Sequence, residues 1–186
     1  MVHCVSEAQA EHVLAALRDR MRAVGLELHP DKTRIVYCQD GKRRGSYEHT
    51  AFTFLGFTFR ARPVRMKTGK MFLGFNPAIS NDALKRLGVE VRSWRLHHRT
   101  GSTEAELARM INPIVRGWMT YYGAFYRSAL TPLLARINAY LMRWSCNRYR
   151  RLKGRKKAQQ AWDQAVKLRP RFFAHWVWVN TVPAVW

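Results

Sequence analysis

Between Arg143 and Lys157 the chain carries eight cationic side chains, Arg143, Arg148, Arg150, Arg151, Lys153, Arg155, Lys156 and Lys157, and no acidic one. Side chains of this type and density suit the phosphate backbone of a nucleic acid. Each phosphate they neutralise releases condensed counterions, so affinity falls with salt at a log-log slope of about −0.7 to −0.9 per contact. Arg136, Arg143 and Arg150 recur every seven residues, which on a helix aligns them as one ridge away from Ile137 and Trp144. A solvated helix end is the plainer explanation, but the helix dipole favours one or two cations near a C-terminus, not eight. A second set places Arg116 beside Trp118, Tyr121 and Tyr122, an arginine next to rings that can stack on bases. Trp118, Tyr122 and Phe125 have helical spacing and are expected in a core, which leaves Arg116 as the residue to reach RNA.

Other chemistries are poorly supplied. Metal-assisted phosphoryl transfer needs carboxylates converging on paired cations, and here Asp19 and Asp31 belong to a helix and a turn, Glu104 and Glu106 to a helix cap, with no two Asp adjacent. His97-His98 lacks a partner at metal-ligand spacing, and no Gly-rich phosphate loop is present. The expectation is no catalytic residue, no metal ligand and no cofactor for this chain.

The elements that must hold these residues follow from composition and periodicity. With 186 residues, 47% hydrophobic and 24% charged, the chain can bury a core in one ordinary domain or two small ones. Lys and Arg number 33 against 12 Asp and Glu, a formal charge of +21 that favours a polyanionic partner. The charge is uneven: residues 1–60 hold 9 Lys/Arg and 7 Asp/Glu, residues 61–186 hold 24 and 5, which sets a boundary near Pro63 to Pro77. Cys4, Cys38 and Cys146 are an odd set without C-x-x-C spacing, as expected of reduced thiols. No leader and no membrane-length apolar stretch is evident, so a cytoplasmic protein without a membrane partner is expected.

The pattern predicts an α+β fold. Ser6-Glu7-Ala8-Gln9 has the form of a reciprocal cap, and Ala10, Val13, Leu14, Leu17, Met21 and Val24 recur at helical spacing up to a left-handed cap at Gly25. Leu26–Leu28 and Thr33–Tyr37 read as strands around a turn at His29-Pro30-Asp31-Lys32. The aromatic stretch Phe52, Phe54, Phe57, Phe59, interrupted by Gly56, is expected to form a β-hairpin with Met71–Phe75 across a turn at Lys67-Thr68-Gly69-Lys70. Three helices should follow. The first is capped by Ser80, with Leu84, Leu87 and Val91 inward; the second opens on a Thr103/Glu106 capping box, carries Leu107, Ile111, Ile114, Trp118, Tyr122 and Phe125 on one stripe and is kinked by Pro113. The third starts with Thr131 as N-cap and Pro132 as N1, runs to about Arg151, and buries Leu134, Ile137, Leu141 and Trp144. Phe172, Phe173, Trp176 and Trp178 are too apolar for a solvated tail and should pack back on the bundle.

Several segments together resemble the C-terminal part of a group II intron-encoded reverse transcriptase and maturase. Gly25-Leu26-Glu27-Leu28-His29-Pro30-Asp31-Lys32-Thr33 is similar to the family's GLxLxPxKT palm motif, and Phe52-Thr53-Phe54-Leu55-Gly56-Phe57 to its FxFLGF primer grip. Asn112-Pro113-Ile114-Val115-Arg116-Gly117-Trp118 with Tyr121-Tyr122-Gly123 is similar to the NPxxRGWxxYY signature of the maturase-specific, or thumb, domain, and Phe173-Ala174-His175-Trp176 to its FxHW. The resemblance implies that residues 1–75 are the end of a polymerase palm, a small mixed remnant contributing Lys32, Phe54, Leu55 and Gly56 to family motifs. Residues 76–186 would then be a three-helix thumb. It implies structured RNA, group II intron RNA, as partner, and assistance to intron folding and splicing as function. The family's YADD aspartates, which hold Mg in full-length members, precede the strand matching Val2–Val5, so polymerase activity is not expected of this chain. Nor is DNA cleavage, since no Cys-rich or HNH region follows. The alternative is a fragment of an RNA-directed DNA polymerase, active only with fingers and palm supplied by another chain.

Overall fold

A computed structural model describes all residues except Arg43, Arg44, Ser46, Lys67, Lys153 and 184–186. It shows the expected α+β order, a mixed region followed by a helical bundle: α1 (Glu7–Ala23), β1 (Ala51–Phe54), β2 (Phe57–Arg65), β3 (Met71–Ile79), α2 (Asn81–Ser93), α3 (Glu104–Tyr122), α4 (Thr131–Arg148) and α5 (Arg155–Leu168). The chain divides into two compact units, Met1–Phe52 with Arg60–Phe75, and Thr53–Phe59 with Asn76–Trp186.

In the first unit α1 begins where Ser6 Oγ accepts from Gln9 N–H, while Gln9 Oε1 accepts from Val5 N–H at 2.7 Å, one residue earlier than a reciprocal cap would place it. It ends in a Schellman motif, with Gly25 at φ 75°, Gly25 N–H on Arg22 O and Leu26 N–H on Met21 O. None of its residues is buried, and Leu17 of the apolar stripe is 42% exposed. The strands expected at Leu26–Leu28 and Thr33–Tyr37 do not form. A strand needs a ladder, and Tyr37 N–H to His49 O and Gly41 N–H to Leu73 O are separate rungs that do not build one. The turn between those segments does form, Lys32 and Thr33 N–H both reaching His29 O.

The sheet has the order β1-β2-β3. The β2–β3 hairpin closes as expected, with Met66 N–H on Lys70 O and Gly69 at φ 85°; Lys67 of that predicted turn lies outside the described residues. What reads in the sequence as one aromatic stretch is two strands. Leu55 and Gly56 take φ 48° and 78° between them, the two positive angles a type I′ turn requires.

The second unit holds the main core. Leu96, Ile111, Val115, Leu130, Leu134 and Ile137 are fully buried, and Trp94 stacks on Trp118 at 5.4 Å and 7°. Each such aliphatic side chain contributes roughly 1.5–3 kcal/mol by leaving water. The capping box of α3 is complete: Thr103 Oγ1 accepts from Glu106 N–H, and Glu106 accepts from Thr103 N–H at 2.7 Å. The buried stripe of α3 is Leu107, Ala108, Ile111, Val115 and Met119, with Trp118 and Tyr122 packed against it. Ile114 and Phe125, expected on that stripe, are 36% and 64% exposed: Ile114 turns off the face, and Phe125 lies past the helix end at Tyr122. A Cβ at the buried Gly123 would run into the Trp178 ring and the Met119 carbonyl. The 3₁₀ turn Arg127–Leu130 feeds directly into α4, so Leu130 rather than Thr131 is the cap residue and no side chain caps the helix. Leu134, Ile137, Leu141 and Trp144 are buried as expected, but α4 ends at Arg148 because Tyr149 is extended at φ −112°, ψ 103°. Helix α5 joins the three expected helices, burying Ala158 and Trp162.

The C-terminal segment packs back onto the bundle, with Phe173, His175 and Trp176 buried, and two asparagines hold it. Asn112 donates to Phe172 O at 2.9 Å and accepts from Ala174 N–H at 2.8 Å. Asn138, fully buried, donates to Val179 O (3.0 Å) and Thr181 O (2.8 Å), while its Oδ1 takes His175 Nε2 (2.6 Å) and Trp176 Nε1 (3.1 Å). Because both Nδ2 protons go to carbonyls, Oδ1 can only accept, and His175 is the neutral Nε2–H tautomer.

Burial lowers the His175 pKa to about 3 from an ordinary 6.5. The unfolded chain therefore takes up a proton near pH 6.5 that the folded chain refuses. Its contribution to stability is full above about pH 6.5 and is lost progressively as pH falls toward 3, at up to about 1.4 kcal/mol per pH unit. Thermal or urea unfolding at pH 5 and pH 7.5 is expected to show a loss of roughly 2 kcal/mol from this residue. The dependence should flatten in His175→Gln; an equal slope in the variant would assign the acid sensitivity elsewhere.

Candidate nucleic-acid interface

The cations singled out in the sequence lie mostly within the second unit, on four of its elements. Arg136 and Arg143 are exposed on α4, between the buried residues Leu134, Ile137, Leu141 and Trp144. Arg150 does not continue their ridge: with α4 ended at Arg148, Arg150 and Arg151 sit exposed in the 3₁₀ turn Arg150–Leu152. Arg148 is half-buried, donates to Thr100 O, and stands 5.5 Å from the Tyr149 ring and 5.9 Å from that of Trp144. It has an intrachain role. Arg151 lies 5.9 Å from the same Tyr149 ring. Lys153 is outside the described residues.

Arg155, Lys156 and Lys157 open α5, exposed, in a first turn with no acidic residue. This is the wrong end of a helix for cations: the positive dipole terminus disfavours each by roughly 0.3–1 kcal/mol. The first N–H groups of a helix have no intrahelical partner, and an end of that kind beside the exposed Lys156 and Lys157 favours an anion. Arg116 is exposed on α3, and Arg109, seven residues earlier, is exposed as well, a position the sequence pattern does not single out.

The acidic groups nearby in sequence are engaged. Glu104 pairs with Arg169 at 2.6 Å, Asp82 with Lys85 at 3.8 Å, Asp163 accepts from Gln159 at 2.9 Å, and Glu106 is held by Thr103, whose backbone and side-chain hydrogen bonds lower its pKa. Among the described residues no three of His, Cys, Asp and Glu come together to hold a metal ion.

The motif residues of the β1–β2 turn meet α3. Leu55 O accepts from Tyr121 Oη at 2.9 Å, Gly56 O accepts from Ser80 N–H at 2.8 Å, and Phe57 is ringed by Tyr121, Tyr122 and Phe125 at 5.2–5.6 Å. A Cβ on Gly56 would come to 3.1 Å from Tyr122 Oη, so glycine serves both the positive φ and the close approach. Phe54 and Leu55 are 53% and 67% exposed. Lys32 is exposed in its turn in the first unit.

The structure adds a group around His97-His98, set aside as metal ligands on sequence spacing alone. The 3₁₀ turn Leu96–His98 lies against α4, where Trp144 Nε1 donates to Arg99 O, Asn147 Nδ2 to His97 O and Arg148 to Thr100 O. Arg95 leads into it at φ 49°, ψ 39°, a left-handed conformation that costs a non-glycine residue about 1–2 kcal/mol. Such a contact between distant segments carries no local sequence signal.

Residues 84–162 match the family model of the group II intron, maturase-specific domain. Over that stretch the chain is similar to the maturase-specific domain of group II intron proteins. The matched stretch takes in most of α2, the 3₁₀ turns Leu96–His98, Arg127–Leu130 and Arg150–Leu152, α3, α4 and the first half of α5, and with them the cations from Arg95 to Lys157 discussed above. No curated protein and no solved structure matches the chain. No helix among the described residues is long and apolar enough to cross a membrane.

Proposed function

We propose that the chain is a maturase-type RNA-binding protein whose helical part, residues 76–186, grips structured group II intron RNA and favours its splicing-competent fold, residues 1–75 being the end of a polymerase palm. The observation that carries this is the cation set running from Arg150 to Lys157 around the N-terminus of α5, inside the matched maturase domain and without a carboxylate in the run. A protein can shift an RNA folding equilibrium only by binding one state more tightly. Backbone phosphates, 2′-hydroxyls and helix shape are what such a surface reads. Fluorescence anisotropy with a group II intron RNA, folded in Mg²⁺ or left unfolded without it, tests this at matched ionic strength. Tighter binding to the folded RNA is expected, with a steep salt dependence; equal affinities would remove the folding role and leave charge-driven binding alone.

A second reading has its own observation. In the first unit Val2, Val5, Leu17 and Leu26 are 60%, 86%, 42% and 54% exposed, and α1 buries none of its residues. Apolar exposure of that kind suits a surface covered by another polypeptide, here a chain supplying fingers and a YADD-bearing palm. Primer extension on mixing with such a chain would favour it.

A further inference from the structure

The turn after α2 and the outer face of α4 build a cationic centre separate from the Arg150–Lys157 run. Its backbone is fixed: the carbonyls of His97, Arg99 and Thr100 are taken by Asn147, Trp144 and Arg148 of α4, Arg99 Nε donates to Trp94 O at 2.8 Å, and Leu96 is fully buried beneath. With those carbonyls occupied by α4, Arg95 and His98 are exposed and His97 is half-buried. His97 stacks on Tyr140 at 5.4 Å and 21°, His98 lies 4.0 Å from His97, and the Arg143 guanidinium stands 6.0 Å from the Tyr140 ring. His97 Nδ1 is buried without a hydrogen-bond partner, which leaves Nε2 as the nitrogen available to a ligand. The ion pairs formed by Asp82 and Glu104 involve none of these cations.

We propose that Arg95, His97, His98 and Arg143 form a second phosphate-binding centre that takes a backbone phosphodiester of RNA. This rests on the RNA-binding reading and names a further site for it. A phosphate offers acceptors to two guanidiniums at once and to an imidazole N–H, and it supplies the negative charge that the centre lacks. The groups facing His97 are cationic or neutral: Arg95 and His98 on its own turn, Arg143 and the Tyr140 ring on α4. Burial first, then His98, Arg143 and Arg95, lower the His97 pKa. An anion seated among them reverses the electrostatic part, so binding draws a proton onto His97 and strengthens as pH falls from 8 toward 6.

RNA affinity of the full chain, measured at pH 6, 7 and 8 at constant salt, is expected to rise about 3- to 10-fold toward pH 6 and to lose that rise in H97N/H98N. Arg143→Gln should weaken binding at every pH, and thermal unfolding of both variants reports whether the fold is kept. Histidine ring resonances of the wild-type chain, titrated in parallel with inorganic phosphate and with the intron RNA, separate the possible anions. RNA shifting His97 where millimolar phosphate does not supports a backbone site. Phosphate shifting it while RNA does not overturns the RNA assignment. A wild-type pH profile retained in H97N/H98N overturns the centre while leaving RNA binding through α5 intact, and failure of the wild-type chain to bind RNA at all overturns both.

Discussion

Replacing Asn138 by Ala is expected to cost about 3–5 kcal/mol and to release the C-terminal segment from the bundle. The fully buried side chain serves four partners, two carbonyls beyond His175 and two ring N–H groups. Each group left unsatisfied costs roughly 1–3 kcal/mol, and the penalties overlap because the partners share one relaxation. Against a total stability of about 5–15 kcal/mol this is a large fraction. Hydrogen exchange gives the decisive pattern: amides of 172–183 should lose protection first and most, since Phe173, Trp176 and Val179 are buried only while the segment is docked. Asn112→Ala is the graded comparison, with two backbone bonds at a half-buried site, and should cost about 1–2 kcal/mol. A small, spatially uniform loss of protection in Asn138→Ala would mean that the rings of Phe173 and Trp176 hold the segment by themselves.

The asparagines also mark where the sequence stops being legible. The Thr103/Glu106 box, the Schellman end at Gly25 and the β2–β3 hairpin were readable because every atom involved lies within a few residues. The buried faces of α3 and α4 were readable in outline because a core imposes its period on the helix. Asn112 and Asn138 bond to residues 37 to 62 positions away, and nothing in their neighbourhood announces this. Leu26–Leu28 and Thr33–Tyr37 show the converse failure, β-favouring composition without a ladder to join. For the candidate site, the run of charges was plain, but its division was not. Arg148 looks like its neighbours in sequence yet is spent on Thr100, and His97, set aside there as a metal ligand, gives no other signal because Arg143 and Tyr140 reach it through the fold. Helix α5 was hidden by its own first turn, three exposed cations ahead of the buried Ala158 and Trp162.

That division decides which substitutions test the interface. In the variant Arg150→Ala, Arg151→Ala, Lys156→Ala, Lys157→Ala, all four side chains are exposed, and Arg148, which supports the turn at Thr100, is left in place. If each of the four meets a phosphate, the log-log salt slope for intron RNA should fall by about 3, and affinity at 0.1 M salt by about three powers of ten. Removing four charges from a chain of formal charge +21 weakens any polyanion binding somewhat, so a matched control is needed. Arg18→Ala, Arg20→Ala, Arg22→Ala, Arg34→Ala removes the same charge from exposed positions in the first unit. The control should lose well under one power of ten when its side chains meet no phosphate, because charges that make no contact act only through a field screened over a Debye length of about 10 Å at that salt. Equal losses in the two variants would show that the RNA responds to net charge and not to the surface where α4 gives way to α5. Unequal losses with an unchanged slope would move the contribution of Arg150 and Arg151 from phosphate contact to the packing of the turn against Tyr149.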